Sequence, residues 1–189
     1  SFSLAMSISP GPVNMVIVSS GANYGIRKTF SFVSGSTIGF TLLLLCIGLG
    51  FHEVMRAYPS FLKYLSIGGA LFIVYIGYLI ASSKPELDIS EQKRPTFLQG
   101  FLLQWLNPKA WIACLAGVTL FSEPDSHDLF LTFALVYFFV CYLSLFSWSV
   151  LGDRVTVFLN SALRLKLFNL SMGWMLIVTA GLLLYSQFI

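Results

Sequence analysis

The sequence predicts an all-α integral membrane protein: six transmembrane helices in one domain, residues 1–189, arranged as two inverted three-helix repeats. Three observations carry that prediction. Composition is the first, because 57% of the residues are hydrophobic and only 10% are charged, against about 25% charged in soluble domains. Second, stretches of membrane length with little or no charge follow one another, and such runs favour helices over the ~10-residue alternating strands of an outer-membrane barrel. Third, the first and fourth stretches are both broken by proline.

The stretches run from Ser1 to Ile26, Thr29 to Phe51, Tyr64 to Ser83, Pro95 to Ser122, Leu129 to Gly152 and Leu167 to Ile189. A bilayer core of ~30 Å needs about 20 helical residues, so each can span it. A polar linker, about 84–95, separates repeat 1, about 1–83, from repeat 2, about 96–189. Three spans per repeat is an odd number, so the second repeat crosses in the opposite sense to the first. The first span lacks a basic n-region, so no cleavable signal peptide is expected. Ser1 is not expected to be the natural start, because so little chain precedes Pro10.

Orientation follows from the basic residues, which concentrate in cytoplasmic loops. Arg27 and Lys28 fall between spans one and two, Lys84, Lys93 and Arg94 between three and four, and Arg154, Arg164 and Lys166 between five and six. The other side holds only Arg56 and Lys63, together with the acidic Glu123, Asp125 and Asp128. Both termini are therefore expected on the periplasmic side. The net charge of +3 is a topology signal, and no nucleic-acid partner is expected.

Two proline sites carry the chemistry. In Ser9-Pro10-Gly11-Pro12-Val13-Asn14, the prolines lack N–H donors and clash with the preceding turn, so the segment cannot be a regular helix. In Leu106-Asn107-Pro108-Lys109, the same break comes with an ammonium near the centre of an apolar span. A Lys at that depth costs roughly 2.5–3.5 kcal/mol, which points to function. Interrupted helices at matching positions of two repeats mark the substrate site of inverted-repeat transporters. Gly35 and Gly39 have the spacing of a helix-packing motif, and Gly68, Gly69 and Gly77 line up on the third span, which also suits close packing. The partner face of Gly35 and Gly39 could belong to the same subunit or to a second protomer, as in a homodimer, and the sequence does not choose. Cys46, Cys114 and Cys141 match no metal or redox spacing and read as buried, inert thiols. His52 and His127 fall at span ends as solvated residues. No metal or cofactor is expected.

Pro10-Gly11-Pro12-x-Asn14, Gly25-x-Arg27, Gly35 with Gly39, and Leu106-Asn107-Pro108-Lys109-Ala110 together resemble the LysE/RhtB family of amino-acid exporters. The likeness extends to Gly173 and Gly181 in the last span. It implies efflux of amino acids or close derivatives across the bacterial inner membrane, driven by proton antiport. Gly21 to Arg27 and Phe101-Leu102-Leu103-Gln104 are similar to members that export cysteine and O-acetylserine, although Gln104 stands where many members have Asn.

The expected substrate site comprises Pro10, Gly11, Pro12, Asn14, Gln104, Asn107, Pro108 and Lys109. Lys109 and the N–H groups of the restarted helix near Pro12 would hold a carboxylate. Carbonyls freed at Ser9 to Gly11, Asn14, Asn107, or the faces of Trp105 or Trp111 would hold an ammonium. No carboxylate lies inside a span, so neutral amino acids are expected over lysine or arginine, and Lys109 is the candidate carrier of the coupling proton. A membrane-embedded enzyme would need a nucleophile–base or metal constellation, and a channel would use carboxylate rings; both are absent from the spans. A non-transporting scaffold leaves the cost of Lys109 without a reason.

Overall fold

The computed structural model describes residues 1–51, 60–83, 95–122, 127–159 and 161–185. The linker charges Lys84, Lys93 and Arg94, the loop residues His52 and Arg56, and the acidic Glu123 and Asp125 lie outside the described residues.

The described residues form seven α-helices: α1 Phe2–Ile8, α2 Pro12–Cys46, α3 Ser60–Ala81, α4 Phe97–Trp105, α5 Pro108–Phe121, α6 Asp128–Val155 and α7 Ala162–Tyr185. A π-helical stretch, Ile47–Phe51, prolongs α2, and a 3₁₀ turn, Thr156–Phe158, follows α6. Among the described residues, four helices are long and apolar enough to cross a membrane: α2 with its extension, α3, α6 and α7. Both expected proline breaks are present, between α1 and α2 and between α4 and α5.

Helix α2 is not one straight rod. Gly25 has φ +77° and ψ 169°, a conformation that glycine adopts without Cβ strain, and the chain reverses there. Ser20 Oγ donates to Thr29 Oγ1 at 2.8 Å, although nine residues of straight helix would separate them by about 13 Å. The two arms also run oppositely along α6. The start of the first arm, Val13 and Asn14, shares a cleft with Cys141 and Leu145 of α6, Val18 meets Gly152, and Gly25 at the reversal approaches Asp153. Residues of the second arm meet α6 progressively earlier: Phe30 at Tyr142, Phe40 at Tyr137 and Gly48 at Phe130.

The expected loop at Arg27 and Lys28 is thereby corrected. Both residues are helical, in the first turns of the second arm, because a single glycine makes the reversal and leaves no loop for them to occupy.

Glycine stripes let backbones approach. A Cβ on Gly35 would strike the Phe97 carbonyl and one on Gly39 the Phe101 carbonyl, which packs the second arm of α2 directly on α4. Gly77 and Gly173 face one another's carbonyls between α3 and α7. The partners of Gly35 and Gly39 thus lie in the same chain.

Buried residues cluster along α2, α4, α5 and α6, with Ile17, Phe32, Leu43, Leu103, Phe130 and Tyr137 among the largest. Outward faces are apolar too: Leu131, Leu135, Phe139 and Leu143 on α6, and Leu163, Leu167, Trp174, Val178 and Leu182 on α7. An apolar exterior at helical spacing suits acyl chains rather than water. Cys114 and Cys141 are buried as expected, but Cys46 is exposed. It lies at the end of α2 on a face that no helix among the described residues covers, so burial of all three thiols does not hold.

Candidate translocation site

The first break leaves backbone groups without helical partners. Ser9 and Gly11 are extended, Gly11 at φ −168° and ψ 177°, and Gly11 offers no side-chain cap to the helix that starts at Pro12. Orphan carbonyls in an apolar setting need donors. Asn14 supplies two contacts, its Nδ2 donating to Ser7 O at 3.1 Å and Ser9 O at 3.3 Å. Lys109 supplies the rest: its Nζ donates to Ser9 O at 2.8 Å, Ser9 Oγ at 2.8 Å and Pro10 O at 3.3 Å. Ser9 Oγ passes its own proton to Met6 O at 3.1 Å. An ammonium has three N–H donors, so all three are engaged at the first break.

The second break serves itself. Asn107 is the N-cap of α5, its Oδ1 accepting from the Lys109 backbone N–H at 3.2 Å, and Pro108 occupies the first helical position, where its missing donor costs nothing. Trp111 Nε1 donates to Trp105 O at 2.7 Å. The Leu106 carbonyl projects to Gly69 of α3, where a Cβ would collide with it.

A cleft of about 400 Å³, measured to its open mouth, lies where the breaks meet. Gly11, Asn14, Gln104, Asn107 and Lys109 line it. Pro10, Pro12 and Pro108 do not. Pro10 contributes its carbonyl to Lys109, while Pro12 and Pro108 are buried helix starts. Gly11 matters for space, since a Cβ there would sit 3.1 Å from Lys109 Nζ and 3.2 Å from its Cδ. Lys109 is partly buried and lines the cleft.

Two expectations about an ammonium ligand change. The Ser9 and Pro10 carbonyls already hold the Lys109 ammonium. Trp105 and Trp111 pack edge-to-face on each other, 6.5 Å between centroids, and neither lines the cleft. Stacking and the Trp111–Trp105 hydrogen bond use these rings to brace the second break.

The cleft also contains residues that sequence reasoning did not place at the site: Ser7, Phe40, Ala113, Tyr137 and Cys141, the last read there as an inert thiol. Ser7 is 8% exposed and its hydroxyl has no hydrogen-bond partner, at a cost of about 1–3 kcal/mol for a buried group of this kind. Its only sequence signal is a polar residue one turn ahead of Pro10. Tyr137 and Cys141 are one turn apart on α6, which a helical wheel shows, but nothing in the sequence aims them at the breaks.

A second cavity, about 470 Å³, lies further along the first arm of α2, lined by Ser19, Ser20, Asn23, Tyr24, Ser83 and Gln99 over an apolar base. Most of its polar groups are paired within the protein. Asn23 and Asn169 exchange amide hydrogen bonds at 2.7 and 2.8 Å, and Asn169 also donates to Ser83 Oγ at 2.8 Å. Gln99 closes a capping box with Thr96.

Apolar outer faces, two proline-broken helices and a polar cleft between them define a multi-pass membrane protein of the translocator class. The chain belongs to the LysE type translocator family, whose model matches residues 4–187, and that family is one of transporters, not enzymes. It is 30% identical over 129 residues to the cysteine/O-acetylserine efflux proteins of Escherichia coli (strain K12) and Shigella sonnei (strain Ss046), covering 68% of this chain and 66% of each relative. The matched region thus spans just under two thirds of those relatives' length. No solved structure matches the chain.

Proposed function

We infer that the protein is a secondary transporter exporting small neutral amino acids or their derivatives from the cytoplasm by proton antiport. The reading counts the two arms of α2 as separate crossings, with α1 and α4 as the entering halves of spans one and four. That makes six crossings in two inverted repeats, with both termini periplasmic and the cleft between the breaks at mid-membrane. One observation carries the reading: the only ammonium lining the cleft among the described residues spans from one helix break to the carbonyls of the other.

A zwitterion can insert into that contact without losing hydrogen bonds. Its carboxylate takes the Lys109 ammonium, and its own ammonium takes over the Ser9 and Pro10 carbonyls that Lys109 releases. Each group then exchanges one charge-assisted bond for another. Among the described residues no Asp or Glu lines the cleft, so a second positive charge on the ligand meets no carboxylate there, which favours neutral substrates. The related efflux proteins, named for cysteine and O-acetylserine, support a substrate of that class. A lysine that alternates between carbonyls, substrate and water can also carry the coupling proton.

The test is export of labelled amino acids from proteoliposomes, with and without a pH gradient, by the native protein and by Lys109→Ala. Gradient-dependent export of neutral amino acids, lost in the variant, is the expected result. Equal export by the variant would sink the assignment of Lys109, and no movement of any amino acid would sink the transport reading.

A further inference from the structure

We propose that Ser7, with the facing Tyr137 and Cys141, forms the side-chain subsite of the cleft and selects neutral amino acids whose short side chain carries a hydrogen-bonding group. The proposal rests on the transport reading above and deepens it from a zwitterion site to a discriminating one.

The cleft divides by chemistry. One end is charged, where Lys109 meets the carbonyls of Ser9 and Pro10. The other wall is neutral and polar: Ser7 from α1, Tyr137 and Cys141 from α6, set among Met6, Phe40 and Leu145. A zwitterion anchored by its two charges at the first end directs its side chain toward that wall. The Ser7 hydroxyl is more than nine-tenths buried and unpartnered, whereas the polar groups of the second cavity are largely paired. A buried hydroxyl left open in this way is available to a ligand.

Ser7 is also held in place. Asn14 Nδ2 binds its carbonyl at 3.1 Å. Phe2, on the same short helix, packs against Phe121, Phe133 and Tyr137 with centroids 6.1–6.3 Å apart. The Tyr137 hydroxyl and Cys141 thiol lie close enough to Ser7 to interact with its hydroxyl, but neither meets it in full hydrogen-bond geometry. A hydroxyl, thiol or ester oxygen one or two bonds beyond a ligand's Cβ would fill that gap. The surrounding apolar side chains and the limited volume disfavour larger or charged side chains.

The experiment compares serine with alanine, and cysteine with 2-aminobutyrate, as substrates of the purified protein in proteoliposomes. Each pair differs by one hydrogen-bonding group. The native protein is expected to prefer the polar member. In Ser7→Ala that preference falls roughly tenfold, the effect of one lost neutral hydrogen bond, while an unchanged thermal unfolding midpoint in detergent certifies the fold. Tyr137→Phe lowers the same ratio by less, and Ser7→Thr retains it. An unchanged ratio in both Ser7→Ala and Tyr137→Phe, or an equal loss for all four substrates, overturns the subsite. If Lys109→Ala abolishes transport of all four while the ratio ignores Ser7, the transport reading stands and the subsite alone falls; if the native protein moves none of them, both fall.

Discussion

The two helix breaks have the same local design but opposite economies of hydrogen bonding. Each restarts a helix with proline at the first position, after Gly11 in one and Asn107 in the other. Asn107 caps its own helix, and Trp111 closes the Trp105 carbonyl, so the second break is complete within its own span. Gly11 caps nothing, and the first break borrows the Lys109 ammonium from the second. A self-contained break is a rigid platform. One completed by a distant side chain can be uncompleted by anything that competes for that side chain, which is what a carrier's site requires.

Lys109→Ala tests that difference most severely. It leaves the Ser9 and Pro10 carbonyls without their ammonium, and we expect about 2–3 kcal/mol of lost stability in detergent unfolding together with loss of export. A variant as stable as the native protein would mean that the first break does not depend on the second.

Asn14→Ala removes the donor that spans from the restarted helix back to Ser7 and Ser9. The expected cost is about 1–2 kcal/mol, within the range of interhelical hydrogen bonds in membranes, with weakened substrate affinity because α1 loses its tether. Asn107→Ala takes away one cap, for about 1 kcal/mol, and leaves the substrate preference intact. An effect of Asn107→Ala larger than that of Lys109→Ala would reverse the comparison.

Gly11→Ala has the smallest expected effect on stability, under about 0.5 kcal/mol, because extended backbone suits alanine and the nearby lysine can shift. Its methyl group would nevertheless crowd Lys109 Nζ, 3.1 Å away, so export should fall several-fold while the unfolding midpoint barely moves. An unaltered export rate would show that Lys109 tolerates displacement from the first break.

Much of this was legible before the fold was known, and the reasons differ by residue. Pro10, Pro12 and Pro108 break helices because each lacks an N–H and fixes its own φ, a covalent property independent of context. Lys109 was conspicuous because a charge in an apolar span needs a partner wherever it lies. Gly25 was visible only as part of a family motif. Its positive φ, and the reversal that places Arg27 and Lys28 on a helix rather than in a loop, depend on α6 packing against both arms. Ser7, Tyr137 and Cys141 come from segments more than a hundred residues apart, so no periodicity could bring them to one wall. Asn23 and Asn169 are paired across the same kind of distance.

The sequence by itself determined a helical membrane protein, two interrupted helices and a cation within an apolar span, because hydropathy, proline geometry and the cost of desolvating charge act locally. Only the tertiary structure decided which break lacks its own donors, that Lys109 supplies them, and which side chains line the far wall of the cleft. Those outcomes depend on close backbone approach at Gly35, Gly39 and Gly69 and on the reversal at Gly25. Such contacts join residues that the chain itself keeps far apart.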